Sequence, residues 1–286
     1  MTIQQAVTNF KQLIHNAVAQ GGSKAKTAAI RSSWPILNIH EAVKHQMISE
    51  GINASQIHPA LGQRAPELKL AGVLKKKDQD ICIVPNMNPT PEIMTDGLLL
   101  DQEDPYGYDY TERTISINVR SQISSIQKNF DTLYERTASE AQNLHDRCNR
   151  MVLGEVYMIA VPEYDDKEFD NNHCIFKGVR TDMVEKYIKS FHAVNSRDDE
   201  DGQLYKYESV CLLIVDFRQD PPKIYHSTQE LINDGYLPAN TTVSYEGLDW
   251  ANFSRKLLDA YEERFPNEPE NKGGGCAPTL FNFLIL

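Results

Sequence analysis

A carboxylate, a carboxamide and a guanidinium stand in an order that chemistry can use: Asp80, then Asn118 and Arg120, with Gln122 two positions further on. Asp80 leads a short apolar run, residues 81–84, just after the basic knot at residues 75–77. Ile115, Ile117 and Val119 alternate with Ser116, Asn118 and Arg120, the period of two that a strand needs. Asn118 and Arg120 therefore face the same way. If the two strands pair in one sheet, Asp80 shares a small polar pocket with both. A carboxylate with one or two nearby oxygens can hold Mg²⁺. A cation beside them can orient water or steady a phosphorane-like charge. Gln122 extends the polar face and either touches a phosphate or caps the helix that follows. The plain alternative for Asp80 is a solvated residue at a turn.

These residues need elements to hold them. After the strand at 114–120, Ile123, Ile126, Phe130, Leu133, Ala138, Ala141 and Leu144 return at helical spacing, with Ser121 or Ser124 as N-cap. Residues 152–162 form a nearly continuous apolar run, the pattern of a central strand covered on both faces. Residues 205–217 read as a second such strand, broken by Pro221 and Pro222. Helices are expected over 1–20, 39–50, 181–194, 227–234 and 248–265, with Gly51 ending the second. Residues 21–27 read as a flexible basic break, and 52–70 as a connector limited by Pro59 and Pro66. Residues 86–112 are a long Pro-rich, acidic insertion. The chain closes on a glycine hinge and an apolar tail, 272–286, which either docks on the body or meets a partner.

The 286 residues suffice for a sizeable core. No apolar run approaches the ~18 residues of a membrane span, and no signal-peptide core stands at the start, so a cytoplasmic location is expected. Five scattered cysteines with no CxxC spacing point to free buried thiols rather than disulfides or a thiolate zinc site. A net charge of −11 argues mildly against nonspecific adhesion to nucleic acid, yet a local basic patch is enough for a DNA enzyme. Dinucleotide, P-loop and GxSxG signatures are absent, and no histidines have HxH or HxxxH spacing. Arg136 and Glu140 are spaced for a helix ion pair. Glu155, alone in an apolar strand, needs a partner. Lysines 75–77 are either phosphate contacts or a solvated turn.

In their order, these pieces resemble the PD-(D/E)xK nuclease superfamily, and more narrowly the XhoI-like type II restriction endonucleases. In that group an Asp leads an apolar strand, Glu-x-Lys-Ser-Gln follows on the next, and a helix containing Asn-Phe-x-x-Arg-Thr-x-x-Glu-Ala comes after. Here stand KKKDQDICIV with Asp80, INVRSQ with Asn118, Arg120, Ser121 and Gln122, and KNFDTLYERTASEA with Asn129, Phe130, Arg136, Thr137, Glu140 and Ala141. The resemblance covers roughly residues 39–162. It implies that a glutamate of the preceding helix, Glu41, reaches the metal site. The chain departs from the pattern at Glu-x-Lys, where it has Asn118-x-Arg120. Asn is a weaker Mg²⁺ ligand, and Arg stays protonated and cannot act as a base. Glu41, Glu112, Glu135, Glu140 or Glu155 could replace the missing carboxylate. Otherwise the site works with fewer protein ligands, or it only binds.

The expected fold is mixed α/β in one domain over 1–286: a small central sheet flanked by helices, with a restriction-endonuclease-like core at about 39–217. The resemblance implies a Mg²⁺-dependent, site-specific endonuclease acting on double-stranded DNA as a homodimer, with a companion methyltransferase. Asp80 would hold the metal, Arg120 would face the phosphate, and Asn118, Glu41 and Gln122 would complete the site. The rival expectation is a non-catalytic DNA- or protein-binding module on the same fold.

Overall fold

The computed structural model describes residues 1–266, so the apolar tail lies outside the described residues. The chain begins with two helices packed on each other, α1 (Ile3–Arg31) and α2 (Trp34–Ser49). Thr2 and Gln5 close a capping box on α1. The expected break at 21–27 is instead a kink at Gly21 and Gly22, beyond which the helix resumes. Gly22 has φ +58°, and a Cβ there would sit 2.6 Å from the Phe169 carbonyl oxygen, so only glycine fits. Lys26, beyond the kink, is buried and pairs with Asp166 at 3.2 Å.

Short strands follow: β1 (Ile57–His58), the hairpin β2 (Leu68–Ala71) and β3 (Lys76–Gln79), and β4 (Ile81–Ile83). The acidic insertion carries the two-residue pair β5 (Glu92–Ile93) and β6 (Glu103–Asp104), then α3 (Tyr108–Glu112). Arg147 ties β5 and β6 to the body through Glu92 at 2.6 Å and Asp104 at 2.7 Å. Next come β7 (Ile115–Ser124), the long helix α4 (Ile126–His145) and β8 (Val152–Tyr164). Helices α5 (Asp166–Phe169) and α6 (Thr181–Ala193) lead to β9 (Ser209–Asp216). The chain then passes through β10 (Lys223–Ile224), α7 (Thr228–Asn233) and α8 (Phe253–Arg264).

Six strands make the central sheet in the order β1-β4-β7-β8-β9-β10. The centre, β7-β8-β9, is parallel, and the outer pairs are antiparallel. A parallel pair needs a crossover, and α4 and α6 supply the two. Both lie on one face, where Phe130, Leu144, Tyr187 and Phe191 meet Leu153, Tyr157 and Leu212. Helices α1, α2 and α8 cover the other, where Phe10, Val43 and Leu257 meet Ile117, Val156 and Leu213. Alternate residues of β8 feed the two cores, which is why that strand is almost wholly apolar, with Glu155 and Glu163 as its charged residues. No helix among the described residues is long and apolar enough to cross a membrane.

The cap of α4 differs from expectation. Ser121 and Ser124 remain in β7, which runs four residues further than the alternation predicts, and Ser125 caps the helix in a left-handed conformation, φ +52°. Its hydroxyl is turned to Asp166, at 2.6 Å. The helix end is served instead by the Glu163 carboxylate, which accepts from the Ile126 amide at 2.6 Å.

Candidate active-site cleft

The sheet register brings the predicted residues together. Ile81 pairs with Ile117, so Asp80, the next position outward, stands opposite Asn118. Asp80 Oδ2 accepts a hydrogen bond from the Val119 amide at 2.8 Å. Across the parallel ladder Asn118 pairs with Glu155 and Arg120 with Tyr157. Asp80 and Arg120 open onto one cleft of 340 Å³, whose polar wall also includes Lys77, Ser121 and Arg136. The apolar wall comes from Phe10, Ile30, Pro35 and Ile36 of the helix hairpin and from Leu133 and Tyr157.

Arg120 is held on three sides. Its Nη1 donates to Thr137 Oγ1 at 2.7 Å and to Glu155 Oε1 at 2.9 Å, and its Nη2 donates to Glu140. Glu140, 4 % exposed, also binds Lys77 at 2.6 Å and Arg136 at 2.9 Å. One buried carboxylate thus gathers three cations at the floor of the cleft. Glu155 is wholly buried. Burial pushes its carboxyl up to about 7, against the pull of Arg120. Burial, with Arg120 beside it, lowers the Lys77 ammonium to about 8. Burial disfavours the charge on Arg120, but Glu155, Tyr207, Asp80 and Tyr157 together outweigh it and the guanidinium is held more firmly protonated than usual.

Two predicted residues stand elsewhere. Glu41 does not reach the cleft: Lys44 binds one of its oxygens at 2.8 Å, and the Gly62 amide donates to the other at 2.9 Å. It sits on the side of α2 turned away from Asp80. Gln122 is a core residue. Its amide donates to the carbonyls of Ser125 and Ile126, and its oxygen accepts from Tyr157 and Tyr187 at 3.1 and 2.6 Å. It braces the strand-to-helix junction rather than a phosphate. Of the other carboxylates, Glu112 accepts from Tyr108 at 2.8 Å outside the cleft, and Glu135 is exposed on α4. Glu140 and Glu155 both reach the site.

Two participants escaped the sequence, whereas Lys77 belongs to the basic knot read there as either phosphate contacts or a solvated turn, and it lines the cleft. His40, one residue before Glu41, is the α2 side chain near Asp80. Its ring is buried, Nε2 has no hydrogen-bond partner among the described residues, and burial lowers its pKa against the opposing pull of Asp80. The signal was helical phase: His40 shares the inward stripe of Ile36, Val43 and Met47. Asn143 is the second: its Oδ1 accepts from the amides of Leu74 and Lys75 at 2.8 and 3.1 Å, and its Nδ2 donates to the Lys75 carbonyl at 3.1 Å. It clamps the β2–β3 turn that delivers Lys77. Gly72 permits this, because a Cβ there would lie 2.2 Å from the Asn143 carbonyl oxygen.

The donor chemistry around Asp80 fits a hard cation. Among the described residues, Asn118 Oδ1 and Glu155 Oε2 are buried acceptors without partners, and Asp80 has one oxygen with no hydrogen bond. No three His, Cys, Asp or Glu residues among those described are grouped to hold a metal. No family model, curated protein or solved structure matches this chain.

Proposed function

We infer that the chain is a Mg²⁺-dependent type II restriction endonuclease, hydrolysing a DNA phosphodiester at a specific sequence. The observation that carries the reading is the juxtaposition of Asp80 and Arg120 in one cleft, with Asn118 buried opposite Asp80 in the sheet and α4 crossing to a parallel β8. It agrees with the order of elements that the resemblance to the PD-(D/E)xK, XhoI-like enzymes implies, and on that ground we read the core as restriction-endonuclease-like.

In this reading Asp80 would hold the metal, with the orphaned oxygens of Asn118 and Glu155 as candidate supplementary donors. Bound there, Mg²⁺ would supply Lewis-acid polarisation of the phosphate and of water. The chain's own cations do the rest. Lys77 and Arg136 line the cleft beside Arg120 and present positive charge to the phosphate. Arg120, tied to Glu140 and Glu155, fixes β7 against α4 as well as facing the cleft. Glu140 keeps the three cations at fixed spacing, so no reorganisation accompanies the build-up of charge. A palindromic site suits a two-fold symmetric protein, hence a homodimer, and a companion methyltransferase would protect host DNA.

A second reading rests on the same network. Arg120 is committed to Glu140, Glu155 and Thr137, and the cleft exposes only one carboxylate. A non-catalytic DNA- or protein-binding module would keep this geometry without cutting. Incubation of unmethylated plasmid and phage DNA with the chain and Mg²⁺ separates the two. Discrete fragments that vanish in Asp80→Ala support the enzyme. Uncut DNA of varied sequence, with the protein folded, supports the binding module.

A further inference from the structure

A second cavity, 540 Å³, lies on the other side of the first turn of α2. Its walls include Leu13 of α1, Trp34, Leu37, Asn38 and Glu41 of α2, and Arg64 of the following loop. Trp34 is 58 % exposed, whereas the chain's other tryptophan, Trp250, is 8 % exposed. The residue before it, Ser33, is left-handed at φ +63° and makes no capping hydrogen bond with its side chain. Strained backbone of this kind persists only where the surroundings impose it, and here it presents an indole to solvent. The Arg64 guanidinium lies over that indole, 5.4 Å from the ring centroid, and forms no ion pair among the described residues. Glu41 fixes the loop that carries Arg64 to α2 through the Gly62 amide. Aromatic face and cation are therefore held in register before any ligand arrives.

The cavity borders the first cleft. Pro35 and Ile36 line the cleft, while their neighbours Trp34 and Leu37 line the cavity. A flat π-surface, an uncommitted guanidinium and polar edges from Asn38 and Glu41 match a flat heterocycle that carries an anion. We propose that this cavity receives one unpaired base of a nucleic-acid strand whose backbone lies in the first cleft, the base stacked on Trp34 and its phosphate beside Arg64. The proposal rests on reading the first cleft as a phosphodiester site. Stacking on Trp34 replaces the cation–π contact of Arg64 and frees that guanidinium for the phosphate.

The test uses the full chain in Mg²⁺-free buffer with chelator, so that no cleavage enters. The probes are a single-stranded oligo-dT octamer and an abasic octamer of equal length, read by anisotropy and tryptophan fluorescence. Oligo-dT should quench the fluorescence, and the abasic strand should not. Trp34→Ala should weaken oligo-dT binding by about 5- to 150-fold, the range of one base–aromatic stack, and leave the abasic strand within about twofold. Trp34→Phe should restore most of the affinity without the quench. Arg64→Ala should weaken both strands. Quenching that persists in Trp34→Ala, or equal weakening of the two strands, overturns the proposal. Cleavage of duplex DNA by the unaltered chain is read separately. Cleavage with no base-dependent quench overturns the cavity assignment alone. Base-dependent quenching without cleavage supports the cavity and overturns the enzyme reading.

Discussion

Glu140 and Arg120 are where structure and chemistry meet at the scale of single residues. A buried carboxylate with three cations cannot lose its central guanidinium cheaply, because Glu155, already pushed up by burial, would be left without its main counter-charge. Arg120→Ala should therefore destabilise the fold by about 3–5 kcal/mol, the scale of breaking a buried pair from one side, as read by urea unfolding. Arg120→Lys keeps the charge but cannot span Thr137, Glu140 and Glu155 at once, and should recover only part of that loss. Lys77→Ala removes a partly exposed cation and leaves the Arg120 contacts in place. It should cost less stability than Arg120→Ala while lowering cleavage. Sequence legibility at this scale was uneven. Asp80 and Arg120 could be paired on paper because strand alternation and register fix them. His40, rather than Glu41, depended on the exact phase of α2 against the sheet, which a one-residue rotation changes.

At the scale of elements, the β2–β3 hairpin is the part that holds Lys77 over Glu140. Its turn is closed by the Gly72 amide donating to the Lys75 carbonyl at 3.1 Å and is clamped by Asn143, 69 residues from Leu74. Asn143→Ala strips three hydrogen bonds from that turn and should cost about 1–3 kcal/mol. Hydrogen exchange at the Leu74 and Lys75 amides should speed up well before that of β8. Gly72→Ala should be at least as damaging, since its Cβ meets backbone that cannot swing aside. This explains why β3 was invisible in the sequence: Lys76–Gln79 has no apolar alternation, and its register is set from a distant helix. The same holds for the two-residue strands β1 and β10, too short to carry a period. By contrast β8 and β9 were legible because both faces are covered, so nearly every residue is apolar. The helix α6 was legible from its amphipathic stripe.

At the scale of the whole molecule, the far ends of β8, β9 and α8 are fastened through Glu208. Its carboxylate accepts from the Leu153 amide at 2.6 Å and from Arg264 at 2.8 Å, with Arg197 at 3.2 Å and His145 at 3.6 Å. Burial alone would raise its pKa, but His145, Arg264 and the Leu153 amide outweigh it and hold the group at about 2. The unfolded chain binds this proton near the ordinary 4.5. Between 4.5 and about 2 the unfolded state thus carries more protons, and the Glu208 contribution, full above 4.5, is lost as pH falls. Thermal unfolding should show this acid slope, and Glu208→Gln should flatten it while lowering stability at neutral pH. The fold class was legible at this scale, as mixed α/β with one central sheet, because helix and strand periods alternate along the chain. The split into two cores, one under α4 and α6 and one under α1, α2 and α8, was not, since pattern alone does not say which face a helix covers.

Everything functional here turns on Asp80 facing a phosphodiester in the first cleft. The most direct measurement is single-turnover cleavage of unmethylated DNA in Mg²⁺ by three proteins: the unaltered chain, Asp80→Asn and Asp78→Asn. Asp78 lies two residues away on β3, is exposed, and pairs with Lys69 at 3.6 Å. Discrete cutting is expected from the unaltered chain and from Asp78→Asn, with a loss of about 10²–10³-fold or more in Asp80→Asn. Equal cleavage by Asp80→Asn, or no cleavage by the folded, unaltered chain, would contradict the account.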